Sequence, residues 1–285
     1  MNLEKIISVN NLSKTFDSFS AVDSISFDVY KGEIFGFLGA NGAGKTTAMK
    51  MLIGISKPSS GEASIAGFDV KKQAEMVKKS IGYMSQKFSM YDDLTIKENI
   101  TFFGGIYGLS RAEIKEKTAN LISELELEEV ADKLVSALPL GWKQKLSFSV
   151  ALLHEPKIVF LDEPTGGVDP ITRRQFWEMI YAQANKGTTI FVTTHYMDEA
   201  EYCDRVSIMV EGVIEALDTP KNLKKKSSTN IVFLYPESSD KTSLSEISDF
   251  SRTFGFGKTR RSCLLTSSIG SHFSLPSLKT HMGCP

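Results

Sequence analysis

Short apolar runs separated by turn residues open the chain and predict three strands. These strands cover residues 6–9, 21–29 and 33–38. Lys31 and Gly32 supply a turn between the second and the third. The pattern then changes to a helix that begins near Thr46 and ends at Gly54, because glycine is common just past a helix C-terminus. The first part of the chain is therefore predicted to pass from strands into a helix.

A long helical stretch interrupts the strand pattern between residues 87 and 142. Before it, two further strands are predicted over residues 62–65 and 81–85. Within it, apolar residues recur at the spacing of a helix. They are Ile96, Ile100, Phe103 and Tyr107, and then Ile114, Leu121, Ile122 and Leu125. We interpret this stretch as an inserted helical subdomain.

Strands and helices alternate again after residue 142. The predicted elements are a strand over residues 158–161, a helix that contains Phe176, Trp177, Ile180, Tyr181 and Ala184, a strand over residues 189–193, and a hairpin with strands over residues 206–210 and 213–216. This alternation favours a mostly parallel sheet with helices on both faces. We therefore predict one α/β domain over residues 1–226.

Residues 227–285 have a different character. They are rich in serine, and no period of 2 or 3.6 persists beyond residues 231–235. Such a segment has too few patterned apolar residues to offset the entropy of ordering it. We predict a divergent, poorly ordered tail, and the sequence leaves open whether it is an extension or the product of a reading-frame change.

The amino-acid composition excludes only a few classes of protein. The 285 residues are 41% hydrophobic and 24% charged, with a net charge of −1, which is typical of a folded soluble chain. No long basic stripe is present, which argues against nucleic acid as a partner. The three cysteines match no disulfide or zinc pattern and favour a reducing compartment. No apolar run approaches the ~18 residues of a membrane-spanning helix, so we expect any membrane role to come through a partner.

A glycine-rich loop with the pattern G-x-x-x-x-G-K-[ST] follows the apolar run that ends at Leu38. Its glycines allow a tight turn in which backbone N–H groups face inward, and the next helix adds its positive N-terminus. Such a loop suits a triphosphate, with Lys45 on the β- and γ-phosphates and the Thr46 hydroxyl on Mg²⁺. The predicted nucleotide-binding residues of the loop are Gly39, Ala40, Asn41, Gly42, Ala43, Gly44, Lys45, Thr46 and Thr47.

Polar residues at three strand ends are candidates for the rest of a nucleotide site. The strand over residues 158–161 ends in Asp162 and Glu163, the form of a Walker B segment. Asp162 would hold Mg²⁺, and Glu163 would be the general base for the attacking water. His195 would contact the γ-phosphate, and Gln86 would touch Mg²⁺ and water. Ordinary alternatives stay open, because acidic strand exits, structural histidines and loop glutamines are common.

Taken in sequence order, these motifs resemble the ATP-binding subunits of ABC transporters over about residues 3–225. The resemblance implies a P-loop NTPase core with a mostly parallel sheet, an N-terminal antiparallel β portion and an inserted helical subdomain. It also implies that Phe16 stacks on adenine and that Val22 belongs to the nucleotide-binding residues. Two subunits would dimerise head to tail around two ATP molecules, with Gly141 of the signature loop and Asp169 at the seam.

Residues 138–144 and 161–170 are similar to the subgroup that serves ABC-2 type exporters. Where the general family pattern reads Leu-Ser-Gly-Gly-Gln, this chain reads Leu-Pro-Leu-Gly-Trp from Leu138 to Trp142. Proline lacks the hydroxyl that serine would offer to the γ-phosphate held by the partner subunit. Gly141 and the N-terminus of the next helix remain as backbone donors.

The resemblance implies an ATP-binding and ATP-hydrolysing subunit that powers export through a separate membrane permease, with ATP and Mg²⁺ as cofactors. Such a subunit would be cytoplasmic and peripheral on the cytoplasmic face of the cell membrane. Two other classes stay open: a soluble, non-transport ABC ATPase, and an ATP-binding regulator with weak hydrolysis. The cargo and the direction of transport are properties of the permease.

Overall fold

The computed structural model describes residues 4–86, 90–227, 231–234, 258–259 and 262–266, which fall into two units. The first unit ends at Pro220 and the second begins at Lys221, slightly before the predicted boundary at residue 226. The described elements of the first unit are, in chain order, β1 (Lys5–Phe16), β2 (Phe19–Tyr30), β3 (Ile34–Leu38), α1 (Lys45–Leu52), β4 (Ser60–Ile65), β5 (Phe68–Asp69), α2 (Ala74–Ser80), β6 (Ile81–Met84), α3 (Ile96–Ile106), α4 (Arg111–Glu124), α5 (Leu140–Ala151), β7 (Ile158–Asp162), α6 (Pro170–Asn185), β8 (Thr189–Thr194), α7 (Met197–Ala200), β9 (Arg205–Val210) and β10 (Val213–Asp218).

The strands of the first unit form two sheets. One is antiparallel in the order β2-β1-β4-β5. The other has the order β10-β9-β3-β8-β7-β6, in which only β10 runs antiparallel to its neighbour. The predicted α/β fold, with a mostly parallel sheet and an antiparallel N-terminal portion, is confirmed.

A cluster of phenylalanine rings fills the space between the two sheets. Phe27 of the antiparallel sheet stacks on Phe35 of β3 with a centroid distance of 5.4 Å. Phe191 of β8 lies 5.5 Å from both Phe35 and Phe37, and 5.1 Å from Phe160 of β7. The central strands are buried along their whole length, as expected for parallel strands covered on both faces. This rigid core fixes the carboxyl ends of β3, β7 and β8 beside one another.

The helices α3, α4 and α5 enclose a second core, which includes Ile100, Leu121 and Leu146. Both α3 and α4 begin with a capping box, formed by Thr95 with Glu98 and by Ser110 with Glu113. A capping box satisfies backbone N–H groups at a helix start and fixes where the helix begins. These helices lie where the apolar spacing predicted helix, and α5 continues past residue 142 to Ala151.

Helix α8 (Pro220–Ser227) begins at the last residue of the first unit, and the second unit also contains β11 (Ile231–Leu234), β12 (Lys258–Thr259) and β13 (Ser262–Thr266). Its strands form an antiparallel sheet in the order β11-β13-β12. Most of residues 227–285 lies outside the described residues, so the expectation of weak order there stays a prediction. Among the described helices, none is both long enough and apolar enough to cross a bilayer.

Candidate functional site

The glycine-rich loop joins the end of β3 to the start of α1. Gly42 and Gly44 have φ values of +84° and +102°, a region that favours glycine. A Cβ at Gly44 would collide with the carbonyl oxygen of Ala21, whereas the position of a Cβ at Gly42 faces open space. The loop therefore packs tightly on one side, and α1 begins directly after it. Glycine turns before a helix N-terminus are suited to binding phosphate.

Lys45, the first residue of α1, turns back over the loop. Its Nζ donates hydrogen bonds to the carbonyl oxygens of Gly39 at 2.8 Å and Ala40 at 3.1 Å. The same Nζ lies 3.3 Å from Oε1 of Glu163, and the two side chains are only 4% and 8% exposed. A buried cation therefore stands beside a buried carboxylate at the phosphate loop.

Glu163 is the meeting point of the predicted catalytic residues. Its Oε2 accepts a hydrogen bond of 3.0 Å from Nε2 of Gln86 and lies 3.0 Å from Nδ1 of His195. Its own φ is +48°, an unusual value for a residue with a side chain, and its N–H donates to the carbonyl and hydroxyl oxygens of Thr193. The ends of β6 and β8 thus bring Gln86 and His195 to the carboxylate that directly follows β7.

Asp162, the last residue of β7, lies beside Thr46. Its Oδ1 accepts a hydrogen bond of 2.6 Å from the Thr193 hydroxyl and one of 3.4 Å from the Thr46 hydroxyl. Asp162 is 1% exposed, and this burial raises its pKa above the ordinary value. The Asp162 carboxylate and the Thr46 hydroxyl are oxygen donors of the kind that Mg²⁺ prefers. The Gln86 side chain lies nearby, where its amide nitrogen donates to Glu163, and the same amide carries an oxygen that can accept or bind a cation. The residues present therefore fit a Mg²⁺ ion.

Phe16 and Val22 have different surroundings. The Phe16 ring at the end of β1 is 51% exposed, and Nζ of Lys14 lies 5.0 Å from its centroid. An exposed aromatic face can stack on a nucleic base. Val22 has no exposed surface and packs among the buried residues of the two sheets, and its place among the nucleotide-binding residues stays a prediction.

Gly141 and Asp169 lie on a second surface, where the N-termini of α5 and α6 meet. A Cβ at Gly141 would lie 2.5 Å from Cγ2 of Thr172. The Asp169 carboxylate accepts hydrogen bonds from the Thr172 hydroxyl and from the N–H groups of Ile171 and Thr172. These bonds, with the hydroxyl first, hold the pKa of Asp169 below its ordinary value. Pro139 occupies the N-cap of α5 and offers no side-chain cap.

Thr193 was not among the predicted site residues. Its hydroxyl donates to Asp162 and accepts from the N–H of Glu163, so one side chain holds both acidic residues in place. The available signal was weak. Two consecutive threonines, Thr193 and Thr194, end a strand that is otherwise mainly apolar and buried.

The site combines a phosphate loop and its lysine with two acidic residues at the end of a central parallel strand. This combination defines a P-loop nucleoside triphosphatase. The sequence pattern of the family described as ABC transporter matches residues 22–166. The chain belongs to this family. The predictions of the family and of an ABC-type ATPase domain, which binds ATP, are therefore confirmed.

Individual relatives agree with this assignment. The chain is 46% identical over 227 residues to the probable multidrug ABC transporter ATP-binding protein YbhF of Escherichia coli (strain K12), covering 80% of this chain and 39% of the relative. It is 41% identical over 205 residues to the Nod factor export ATP-binding protein I of Neorhizobium galegae, covering 72% of this chain and 59% of the relative. A solved ATP-binding subunit of an ABC transporter is 31% identical with a TM-score of 0.70, covering 78% of this chain and 92% of that one. The chain thus spans less than two thirds of the length of both sequence relatives.

Proposed function

We propose that this chain binds and hydrolyses ATP to power export of a substrate through a separate membrane permease. The observation that carries the proposal is the convergence of Lys45, Gln86 and His195 on the carboxylate of Glu163, next to the phosphate loop. Names of relatives support the transport role, since one is a probable multidrug transporter protein and another a Nod factor export protein.

The phosphate loop would hold the triphosphate of ATP, and Phe16 would stack on the adenine. Nζ of Lys45 would bind the β- and γ-phosphates instead of the carbonyl oxygens of Gly39 and Ala40. Thr46, Asp162 and Gln86 would hold Mg²⁺, whose charge neutralises the negative charge that develops on the phosphates. The buried carboxylate of Asp162 is preset for this role, because the Thr193 hydroxyl fixes its orientation.

Glu163 would accept the proton of the attacking water. The residue is nearly buried, and Gln86 and His195 both contact its Oε2. A base held in this way has little freedom to turn away from the water, which favours proton transfer in a fixed direction. His195 would in addition donate to the γ-phosphate.

Gly141 and Asp169 would act on the ATP held by a second subunit. Both lie at helix N-termini, where backbone N–H groups and the helix dipole favour an anion. Because Pro139 cannot donate a side-chain hydrogen bond, the backbone of α5 would be the main contact to the γ-phosphate across a head-to-tail dimer. The subunit would lie on the cytoplasmic face of the membrane, next to its permease.

The proposal is tested by purifying the tagged chain from detergent-solubilised membranes of its own cells and measuring its ATP turnover. We expect a protein with several membrane-spanning helices to co-purify in a near-stoichiometric amount, together with Mg²⁺-dependent turnover. Recovery with ribosomes or DNA instead would indicate a soluble, non-transport ABC ATPase. Binding of ATP without turnover, in a preparation that contains the membrane protein, would indicate a regulator.

A further inference from the structure

Glu199 of α7 is a buried carboxylate outside the predicted catalytic set. Its exposure is 0%. Its Oε2 accepts a hydrogen bond of 2.5 Å from the Thr194 hydroxyl, and its Oε1 accepts one from the Thr165 hydroxyl. Nε of Arg173 lies 3.4 Å from Oε1. Burying a carboxylate is costly unless partners hold it, so these partners determine what the group does.

The two threonines belong to the two chain segments that carry the proposed chemistry. Thr165 follows Glu163 by two residues, in a turn that is closed by a backbone hydrogen bond to the Glu163 carbonyl oxygen. Thr194 directly precedes His195, and its carbonyl oxygen accepts a hydrogen bond of 3.3 Å from the N–H of Gly39, at the start of the phosphate loop. Glu199 therefore connects the segment of the base to the segment of the histidine.

The cation near Glu199 has partners of its own. Nη1 of Arg173 lies 3.4 Å from Asp198, and the guanidinium lies 4.3 Å from the centroid of the Tyr196 ring. The two hydroxyls, in contrast, both donate to Glu199, and their distances are shorter than its distance to Arg173. The main geometric effect of Glu199 is thus to join Thr165 and Thr194.

We propose that Glu199 is a positioning residue for ATP hydrolysis. By accepting from both hydroxyls it fixes the two segments against each other, and so maintains the 3.0 Å contact between His195 and Glu163. Glutamine at this position has one acceptor oxygen and an NH₂ donor, so it cannot accept from both hydroxyls in the same way. This inference rests on the proposed hydrolysis, because it concerns the geometry of the same site.

The test compares the full-length wild type with Glu199→Gln and Asp198→Asn. Steady-state turnover of Mg-ATP gives kcat, and equilibrium binding of ATP gives Kd. Glu199→Gln is expected to lower kcat about ten- to a hundredfold, the effect of losing one hydrogen bond to a charged group, while Kd stays within about threefold. Asp198→Asn is the matched control on the same helix, because its exposed carboxylate also contacts Arg173, and its kcat should stay within about twofold.

A double variant separates positioning from a general loss of structure. In a His195→Ala background, Glu199→Gln is expected to lower kcat by less than about twofold further, because the contact that it maintains is already gone. Losses that multiply, or an effect on Kd in place of kcat, would overturn the proposal. If Glu199→Gln does not fold, Thr194→Val should lose turnover whereas Thr194→Ser, which keeps the hydroxyl, should retain it. Equal rates for these two would also overturn the proposal.

The wild type in the same assay distinguishes a failure of the role of Glu199 from a failure of the proposed function. Full turnover in Glu199→Gln beside an active wild type would overturn the role of Glu199 alone. A wild type without turnover would overturn the proposed function and this inference with it.

Discussion

Gly141 and Thr172 pack so closely that a Cβ on Gly141 would lie 2.5 Å from Cγ2 of Thr172. Alanine is normally the better helix residue by about 1 kcal/mol, yet here its Cβ must displace the Thr172 side chain. We expect Gly141→Ala to lower the free energy of unfolding by about 1 to 3 kcal/mol, as overpacking does. Denaturant unfolding measures it.

The control for this prediction is Gly141→Ala combined with Thr172→Ser. Serine removes the methyl group that the new Cβ meets but keeps the hydroxyl that donates to Asp169. The double variant should recover most of the lost stability. A double variant as unstable as the single one would show that the contact with Thr172 is not the cause.

Asp162→Asn is expected to raise Tm at neutral pH and to weaken Mg²⁺-dependent ATP binding. Burial raises the pKa of Asp162, so the folded chain binds this proton more tightly than the unfolded chain. The free energy of unfolding therefore falls as pH rises from the ordinary pKa of an aspartate to the raised pKa of Asp162. Above the raised pKa this loss of stability stays constant. Asparagine removes the charge and keeps an oxygen for the hydroxyls of Thr46 and Thr193.

Thermal melts between about pH 4 and pH 8 measure this effect. The gain in Tm should be largest at neutral pH and should shrink as pH falls through the raised pKa of Asp162. Asp132→Asn is the control, since this carboxylate is 80% exposed and pairs with Lys97 at the surface, where a charge contributes little. A Tm at pH 7 equal to or below that of the wild type would contradict the prediction.

The parts of the fold that could be predicted from the sequence are those with strong local patterns. Central strands such as β7 and β8 contain uninterrupted apolar runs, residues 158–161 and 190–192, because both faces are buried. The short helix α2 was missed because only Val77 of its residues is buried, so it lacks an apolar stripe. The helix α7 has four residues, too few for any period to be seen.

The sequence predicts which residues belong to the candidate site but not the contacts between them. Glycine spacing and acidic strand ends identify Lys45, Asp162 and Glu163 in the sequence. Their contacts depend on strand order, which places β3, β8, β7 and β6 side by side although these strands are far apart in the chain. The burial of Val22 and the double role of Thr193 arise from packing between sheets and strands, which no local pattern records.

Pro139→Ser is expected to stabilise α5. Proline at the N-cap offers no acceptor, whereas serine can accept from the N–H of Gly141, which contributes about 1 kcal/mol, or ~2 to 4 °C in Tm. Pro139→Ala, which removes proline without adding a cap, is the matched control. The ATP affinity of the monomer should not change, because the proposed contact acts on the ATP of the other subunit. An equal gain from serine and alanine would exclude capping as the reason.

The Glu163→Gln protein is expected to dimerise when Mg-ATP is added. Each of two bound ATP molecules would contact the phosphate loop of one subunit and the surface around Gly141 and Asp169 of the other. Association of the subunits therefore depends on ATP. The same protein without nucleotide should be mainly monomeric. Light scattering with and without Mg-ATP measures the change, and Lys45→Ala in the same background, which loses the phosphate contact, should stay monomeric. A stable dimer without nucleotide would contradict the arrangement.

The central claim is that Glu163 is the general base and that Lys45, Gln86 and His195 hold it in place. The steady-state ATP turnover of Glu163→Gln, compared with that of the wild type, tests this claim most directly. The amide is nearly isosteric with the carboxylate but cannot accept the proton of water. A positioned base contributes about 10²- to 10⁴-fold in rate, so we predict a loss of that size with ATP binding retained. Near-normal turnover in Glu163→Gln would remove Glu163 from the mechanism.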